Sequence, residues 1–434
     1  MSKEVQIDLP NRKELRYIVP NSEGIMAKLD PYIQKKNFSH NEIVQTIYFN
    51  NDNHDVPFSL SLKARRYLPD YTEKIILNHE QYFLDIKQGQ GTDKQKVRLE
   101  GNLEELTNII NQKFNFSKTP LRPFIAIEYC RHHWTPINNE NIRLTLDNDL
   151  RYYYFPLGKQ EAVAIGRESS YNRLEIKISE PDIQFLNIFD KTIKEDGLFP
   201  IVSKKFTGYF FLSQYQTSLS SKAFVKELKG YEIESKIEAE SDIIFPRIRD
   251  FCVNSLENFE IPKHFPYVFD GATINRYYRN DDNIFKAMLK RDFAEIVRKS
   301  DIEIIKDEFN LNCVTKRLET KGQEVPLDSY LLSSSVLQSE LLRMRKAFWV
   351  VNIQTQKFYH ITFDQCVANQ NSLYQLEVEY SGTYLSDNQQ LLSKELTEQK
   401  IITDIAYITN ELLNNFSELK PSILTKQEWS AGIY

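Results

Sequence analysis

The sequence predicts an α+β chain made of two tandem antiparallel β-barrel tunnels with a polar, charged interior, flanked by helices. Three observations carry that expectation. The chain has 434 residues, which at roughly 100–200 residues per domain is enough for two or three domains, each with its own core. Segment after segment alternates apolar residues with Lys, Arg, Glu or Asp at a period of two, the period of a strand. The same scheme of charged strands then runs through the chain twice.

The alternation can be followed in order. Lys63 and Arg65 share a strand face, as do Asp85 and Lys87, and Val97 and Leu99 oppose Lys94, Lys96 and Arg98. Leu144 and Leu146 oppose Arg143, Thr145 and Asp147, while Leu174, Ile176 and Ile178 oppose Arg173, Glu175 and Lys177. Further on, Glu232, Glu234, Lys236, Glu238 and Glu240 share one face, and Leu376, Val378 and Tyr380 oppose Glu377 and Glu379. A single strand of this kind is what an antiparallel sheet with one wet face shows. Its repetition, with charges of both signs, admits a second arrangement: a barrel of about eight strands, polar inside and covered by helices outside, wide enough for a small ligand. The covering helices are predicted over Glu104–Lys113, Asp182–Lys194, Phe245–Leu256 and Glu395–Leu419. Lys and Arg in such a cavity offer charge-assisted donors to phosphate oxygens, and paired carboxylates hold a hard cation such as Mg²⁺ or Mn²⁺. Together they read as a metal–polyphosphate site.

Composition narrows the functional classes. Hydrophobic residues are 41 % and charged residues 26 %, a globular balance. The longest charge-free stretch, Phe206–Ser221, carries Ser, Thr and Gln and is too short and polar to span a bilayer. The N-terminus has no apolar run of the signal-peptide kind, so the expectation is a soluble cytoplasmic protein with no membrane partner. The net charge of −5 argues against a nucleic-acid partner. With 13 glycines and no GxxxxGK[ST] or GxGxxG, any nucleotide is held without a glycine loop. Cys130, Cys252, Cys313 and Cys366 form no CxxC pair, which favours free thiols over disulfides or a cysteine zinc site. None of the seven histidines shows HxxxH spacing, so His132 and His133 read as strand packing or rim residues. Trp134, Trp349 and Tyr48 read as core aromatics, and Asp147 and Asp364 as partners of an Arg or as outer-shell metal residues.

The clearest internal match sets Arg131–Trp134 and the later Asp147 beside Lys346–Trp349 and the later Asp364. On these residues the chain resembles a known superfamily. The segment Glu232-Ile-Glu-Ser-Lys236 resembles the ExExK signature of the CYTH domains of triphosphate tunnel metalloenzymes. Residues 1 to about 222 resemble the VTC domain, the polyphosphate-polymerase branch of that superfamily, with the motifs in the same order. The Ser/Lys-rich run Ser218–Gly230, ahead of the second ExExK strand, is the expected boundary between domains over 1–222 and 223–434, and the resemblance implies a Mn²⁺ or Mg²⁺ cofactor. It implies phosphate-binding positions at Lys63, Arg65, Lys87, Lys96, Arg131, Arg143 and Lys204, with Lys204, Arg131 and Arg143 as the catalytic residues. Arg16, Arg98, Lys177 and Ser203 fall beside them, and in the second copy Lys236, Lys316, Arg343 and Arg345. The metal ligands it implies are Glu175, then Glu232, Glu234, Glu377 and Glu379. Arg16 stands where the family usually has Lys, Lys63 where Arg is usual, and Asp85 where Glu is usual.

The activity this implies is transfer of the ATP γ-phosphoryl group to phosphate or a growing polyphosphate chain, releasing ADP. Two other readings stay open: an inorganic or nucleoside triphosphatase or adenylate cyclase in the second copy, and a non-catalytic sensor of polyphosphate or nucleotide. The number of copies in an assembly is left open.

Overall fold

The computed structural model describes residues 5–8, 13–20, 22–36, 42–77, 80–89, 95–219, 224–225, 230–262, 267–280, 283–290, 293–320, 322–369, 371–384 and 398–432. Lys94 and most of the expected boundary within 218–230 lie outside them. The chain forms two compact units, residues 1–51 with 58–212 and residues 52–57 with 213–434.

The first unit is one antiparallel sheet. Its main strands are β1 (Val5–Asp8), β2 (Lys13–Val19), β3 (Ile43–Asn50), β4 (Leu60–Leu68), β5 (Gln81–Gln88) and β6 (Gln95–Asn102), then β7 (Arg122–Pro136), β8 (Ile142–Tyr154) and β9 (Asn172–Ile178). Their order across the sheet is β1-β6-β5-β4-β3-β7-β8-β9-β2. Helix α1 (Leu103–Lys113) starts at an Asn102–Glu105 capping box. Helix α2 (Ile183–Asp196) starts where Asp182 accepts from the Phe185 N–H and stops at Gly197, whose φ of 60° suits a residue without Cβ. Phe185 and Phe189 of α2 pack on Leu144, Leu146, Leu174 and Ile176. The apolar side of β8 and β9 is therefore the covered, outer side. The charged side is the inner one.

This sheet curls. Lys87 of β5 and Glu14 of β2 are six strands apart along the ladder, yet their charged atoms lie 4.0 Å apart. Among the described residues no ladder joins β1 or β6 to β2, so the closed barrel expected from the sequence is here a curled sheet bridged by side chains.

Helix α3 (Lys204–Leu219) was not expected, because its Phe, Tyr, Ser and Thr content gives little helical propensity. Packing decides it. Its first half lies along the inner face: Tyr209 OH accepts from Asn50 Nδ2 at 2.8 Å, and the Phe211 ring packs tilted against Tyr152 with centroids 5.1 Å apart. Gly208 permits the approach, since a Cβ there would sit 3.0 Å from Ile125.

The second unit repeats the topology. Its strands are β10 (Tyr231–Ala239), β11 (Phe269–Asn280), β12 (Asn283–Leu289), β13 (Phe293–Val297), β14 (Val314–Leu318), β15 (Gln323–Pro326), β16 (Val336–Asn352), β17 (Lys357–Ala368) and β18 (Asn371–Tyr384). They run β14-β10-β18-β17-β16-β11-β12-β13-β15. Apart from β14, this is the first unit's order from β2 to β6, strand for strand. Here the ends meet. Just past β13 and β14, Lys299 bridges Glu319, with hydrogen bonds from Thr320 N to Arg298 O and from Ser300 N to Leu318 O, both 2.9 Å. That bridge links β13 to β14 and completes a ring. Helix α4 (Phe245–Asn254) and helix α5 (Glu398–Asn415) cover the outside, α5 through buried Ile401, Ile405 and Leu412. The short helix α6 (Lys426–Ala431) starts at a Thr425–Glu428 capping box.

Phe189 is fully buried between α2 and the sheet. Phe189→Ala is expected to cost about 3–5 kcal/mol, read as a lower denaturant midpoint with an unchanged slope.

Candidate functional site: two charged inner faces

Strand alternation sorts the predicted residues. In the first unit the register pairs Glu175 with Arg16 and with Thr145, Lys177 with Glu14 and with Arg143, and Arg131 with Asp147. On the other side of the fold it pairs Lys63 with Asp85, Asp85 with Arg98, and Lys87 with Lys96. All these side chains share the inner face. The cations Arg16, Lys63, Arg65, Lys87, Lys96, Arg98, Arg131, Arg143, Lys177 and Lys204 therefore face the four carboxylates Glu14, Asp85, Asp147 and Glu175.

The four carboxylates are occupied. Arg131 grips Asp147 through Nε at 2.5 Å and Nη2 at 2.6 Å, and Lys204, the first residue of α3, reaches the same carboxylate at 2.5 Å. Asp147 is fully buried, which alone would raise its pKa; Arg131 and Lys204 reverse that and hold it low. Glu175 lies within 4.0 Å of four cations: Lys177 at 3.2 Å, Arg16 at 3.5 Å, Arg131 at 3.6 Å and Lys204 at 3.9 Å. Burial opposes its charge, but Lys177, Lys204, Arg16 and Arg131 keep its pKa well below the usual range. Asp85 is taken by Arg98 at 2.8 Å and Lys96 at 3.2 Å.

The β4 cations are left over. Arg65 Nε is buried without a hydrogen-bond partner. Lys63 is pushed well below its ordinary pKa by loss of solvent and by Arg65 and Lys87. Ser203 immediately precedes α3, and its carbonyl accepts from Thr207 N. Tyr48 and Tyr129 belong to this face rather than to the core. Tyr129 lies under the Arg131 guanidinium and the Lys204 ammonium at 5.0 and 4.9 Å.

The second unit carries the same quartet. Arg345 grips Asp364 at 2.7 and 2.6 Å, and Lys426, the first residue of α6, reaches Asp364 at 3.0 Å and also bonds Glu377. Glu377 pairs in register with Thr362 and Lys236, as Glu175 pairs with Thr145 and Arg16. Arg131, Asp147, Glu175 and Lys204 thus correspond to Arg345, Asp364, Glu377 and Lys426. The sequence match at the tryptophans set Lys346 against Arg131. The ladder sets Arg345 there and turns Lys346 to the opposite face. Sequence reading missed Lys426 altogether. Its signal was a hydroxyl residue followed by Lys at a helix start, Ser203-Lys204 in one copy and Thr425-Lys426 in the other.

Lys316 also moves. It pairs with Ile233 in register and so lies on the outer face, held by Glu398 at 2.8 Å. The inner position belongs to Arg317, which pairs with Glu232 and binds it at 2.5 Å and Glu234 at 2.8 Å. Lys299 adds 2.8 Å to Glu232, and Lys236 binds Glu234 at 2.5 Å. Glu379 sits opposite Glu234. Burial and the nearby charges of Glu232 and Glu234 push its pKa up to about 8. Arg343 Nε is buried without a hydrogen-bond partner. His360 stacks on Trp349 at 4.8 Å, and burial beside Arg345 lowers its pKa to about 3. It is a neutral imidazole at neutral pH.

No helix among the described residues is long and apolar enough to cross a membrane. All four cysteines are free thiols.

No family model matches this chain, and no curated protein matches it. Solved structures with some likeness include a protein of Vibrio parahaemolyticus proposed to be an adenylate cyclase, 13 % identical, covering 48 % of this chain and 99 % of that one, with a TM-score of 0.28. Another is a proposed adenylyl cyclase of Hippeastrum with a dominant triphosphatase activity, 14 % identical, covering 46 % and 95 %, TM-score 0.26. A third is an RNA triphosphatase of S. pombe, 13 % identical, covering 42 % and 80 %, TM-score 0.20. At such TM-scores none of them carries an argument about this chain.

Two predictions follow from the geometry. Asp147→Asn leaves Arg131 and Lys204 without their shared counter-charge, and is expected to cost about 3–5 kcal/mol. The double variant with Lys204→Met should recover part of that in a chemical melt. The second concerns Lys286 of β12, held at about 7 by burial and by Lys299 and Arg343. A phosphate chain bound beside it restores the charged form. Its binding is therefore expected to take up a proton between pH 7 and 10, and to weaken as pH rises through that window. Calorimetry with tripolyphosphate in buffers of different ionisation enthalpy reads this, and Lys286→Met should flatten the profile.

Proposed function

We propose that the chain is a metal-dependent phosphotransferase acting on ATP, most simply a polyphosphate polymerase whose first domain, residues 1–222, extends a phosphate chain. The observation that carries this reading is the twice-built quartet of Arg, Asp, Glu and Lys on an inner face where, in the first unit, ten cations meet four carboxylates. Arg131 and Lys204 are held in place by Asp147. Two fixed donors and their charge are thus available where phosphate oxygens gain charge in the transition state. Lys63 and Arg65, with Arg143 and Lys177 across the curl, supply the remaining counter-charge for a polyanion.

The balance is simple. The bond from the γ-phosphorus to the bridging β–γ oxygen breaks, and ADP leaves with the electron pair. A bond forms from the γ-phosphorus to a terminal oxygen of phosphate or polyphosphate. That oxygen is already anionic, so the step needs no general base, in keeping with an inner face built of cations. Alignment and charge neutralisation are what phosphoryl transfer asks of a protein.

The donors present differ between the units in how they suit Mg²⁺ or Mn²⁺. In the second unit Glu232, Glu234 and Glu379 share the inner face of two paired strands, and burial together with the charges of Glu232 and Glu234 raises the Glu379 pKa to about 8. This oxygen set fits a hard divalent ion, which would supply Lewis-acid neutralisation of phosphate oxygens. In the first unit Glu175 already has four cations around it and offers one carboxylate, enough only for an ion held jointly with substrate phosphates. The same contrast favours a second reading for residues 223–434, a triphosphatase, since a site richer in carboxylates suits activation of water.

Purified protein incubated with ATP and Mn²⁺ or Mg²⁺ is expected to yield ADP and long-chain polyphosphate, with polymer lost in Lys204→Ala. Free phosphate that survives Lys204→Ala but falls in Lys426→Ala would assign hydrolysis to the second unit. ATP bound tightly with no product at all would defeat the enzymatic reading and leave a sensor.

A further inference from the structure

On the outer face of β7, away from the charged inner face, three donors of different chemistry meet. Strand alternation places Cys130 and His132 together, with Arg131 between them pointing the other way. Cys130 Sγ and His132 Nε2 are 3.5 Å apart. Glu42, just before β3, is tied to the same place by its backbone: its carbonyl accepts from Arg131 N at 2.8 Å, and Ile43 pairs with Cys130. Its Oε2 lies 3.5 Å from His132 Nδ1, while Lys35 contacts the other oxygen at 3.4 Å. One oxygen, one nitrogen and one sulfur of the three residues lie within 4.8 Å of one another.

The geometry points to a binding site for a zinc-class divalent cation formed by the Cys130 thiolate, the His132 imidazole and the Glu42 carboxylate, with one position left to solvent. The spacing fits the chemistry. Around tetrahedral zinc, bonds of about 2.3 Å to sulfur and about 2.0–2.1 Å to nitrogen set those two atoms about 3.5 Å apart. A thiolate and an imidazole select a borderline metal over Mg²⁺, whereas the all-oxygen set of Glu232, Glu234 and Glu379 favours the hard one. Cys130 and His132 are half-buried and Glu42 is exposed, so an ion has a way in. Binding replaces the thiol proton: Cys130–SH and M²⁺ become a thiolate–metal bond and a released H⁺. The backbone does the positioning, because two ligands sit at i and i+2 of one strand and the third on its ladder neighbour. The sequence showed a Cys-x-His, but its third ligand comes from 88 residues earlier, and only the β3–β7 pairing brings it there.

Cobalt is the probe. Titration of the full chain with Co²⁺ is expected to produce a thiolate-to-cobalt charge-transfer absorption that saturates at one equivalent and is bleached by Zn²⁺. It should vanish in Cys130→Ser and in His132→Ala, persist in Cys252→Ser, and need more than about tenfold more Co²⁺ in Glu42→Gln, the scale on which even outer partners act. Cobalt held by tunnel carboxylates gives no sulfur charge transfer, so the readout is independent of the phosphotransferase reading. Circular dichroism of the metal-free variants checks that each is folded. No thiolate band in the wild type, or a band that survives in folded Cys130→Ser or His132→Ala, overturns the site.

Discussion

Everything on the inner faces hangs on one buried arrangement: a carboxylate shared by an arginine on the neighbouring strand and a lysine at the start of a helix. In the first unit it is Asp147 between Arg131 and Lys204, in the second Asp364 between Arg345 and Lys426. Both aspartates are fully buried. A charge so placed is tolerated only when its partners are close and well aligned. The bidentate guanidinium fixes the side-chain geometry between two strands, and the lysine fixes where the helix begins. One interaction thus joins the sheet to the helix on its inner face and aims two donors at the same volume.

The two units spend this shared frame differently. The first surrounds its glutamate with cations and leaves Lys63 and Arg65 uncompensated, which suits a polyanion. The second puts Glu379, opposite Glu234 of β10, where the first has Lys177, opposite Glu14 of β2. That single exchange adds a third carboxylate to the face of Glu232 and Glu234, and burial together with their charges raises its pKa to about 8. Coulomb energy at short range in a partly desolvated space makes such an exchange consequential. The twin folds are therefore not twin sites.

Much of the candidate site was legible as a pattern of period two. Charged residues at i and i+2 on Arg173–Lys177, Glu232–Lys236 and Glu377–Glu379 sort to one face because a strand leaves no other choice. The pattern failed where a strand's phase was uncertain. Lys316 and Arg317 are adjacent, both cationic, and only pairing with Glu232 decides which one faces in. Lys346 lost its assumed place to Arg345 because β16 carries one more residue than β7 between the arginine and the tryptophan. Helix α3 was illegible for another reason: its residues have weak helical preference, and burial against Ile125 and Tyr152 overrides it.

By itself, then, the sequence determined the strand-rich class, the charged faces, the doubling of the chain and most of the cations that meet there, since these follow from local alternation and composition. Tertiary structure alone decided that the first sheet curls without hydrogen-bonded closure while the second closes through Lys299 and Glu319. It alone added Lys426 and Arg317 to the inner face and removed Lys316. The physical reason is that register, closure and helix placement depend on residues far apart in the chain, whose Coulomb and packing energies exist only once the strands have been brought side by side.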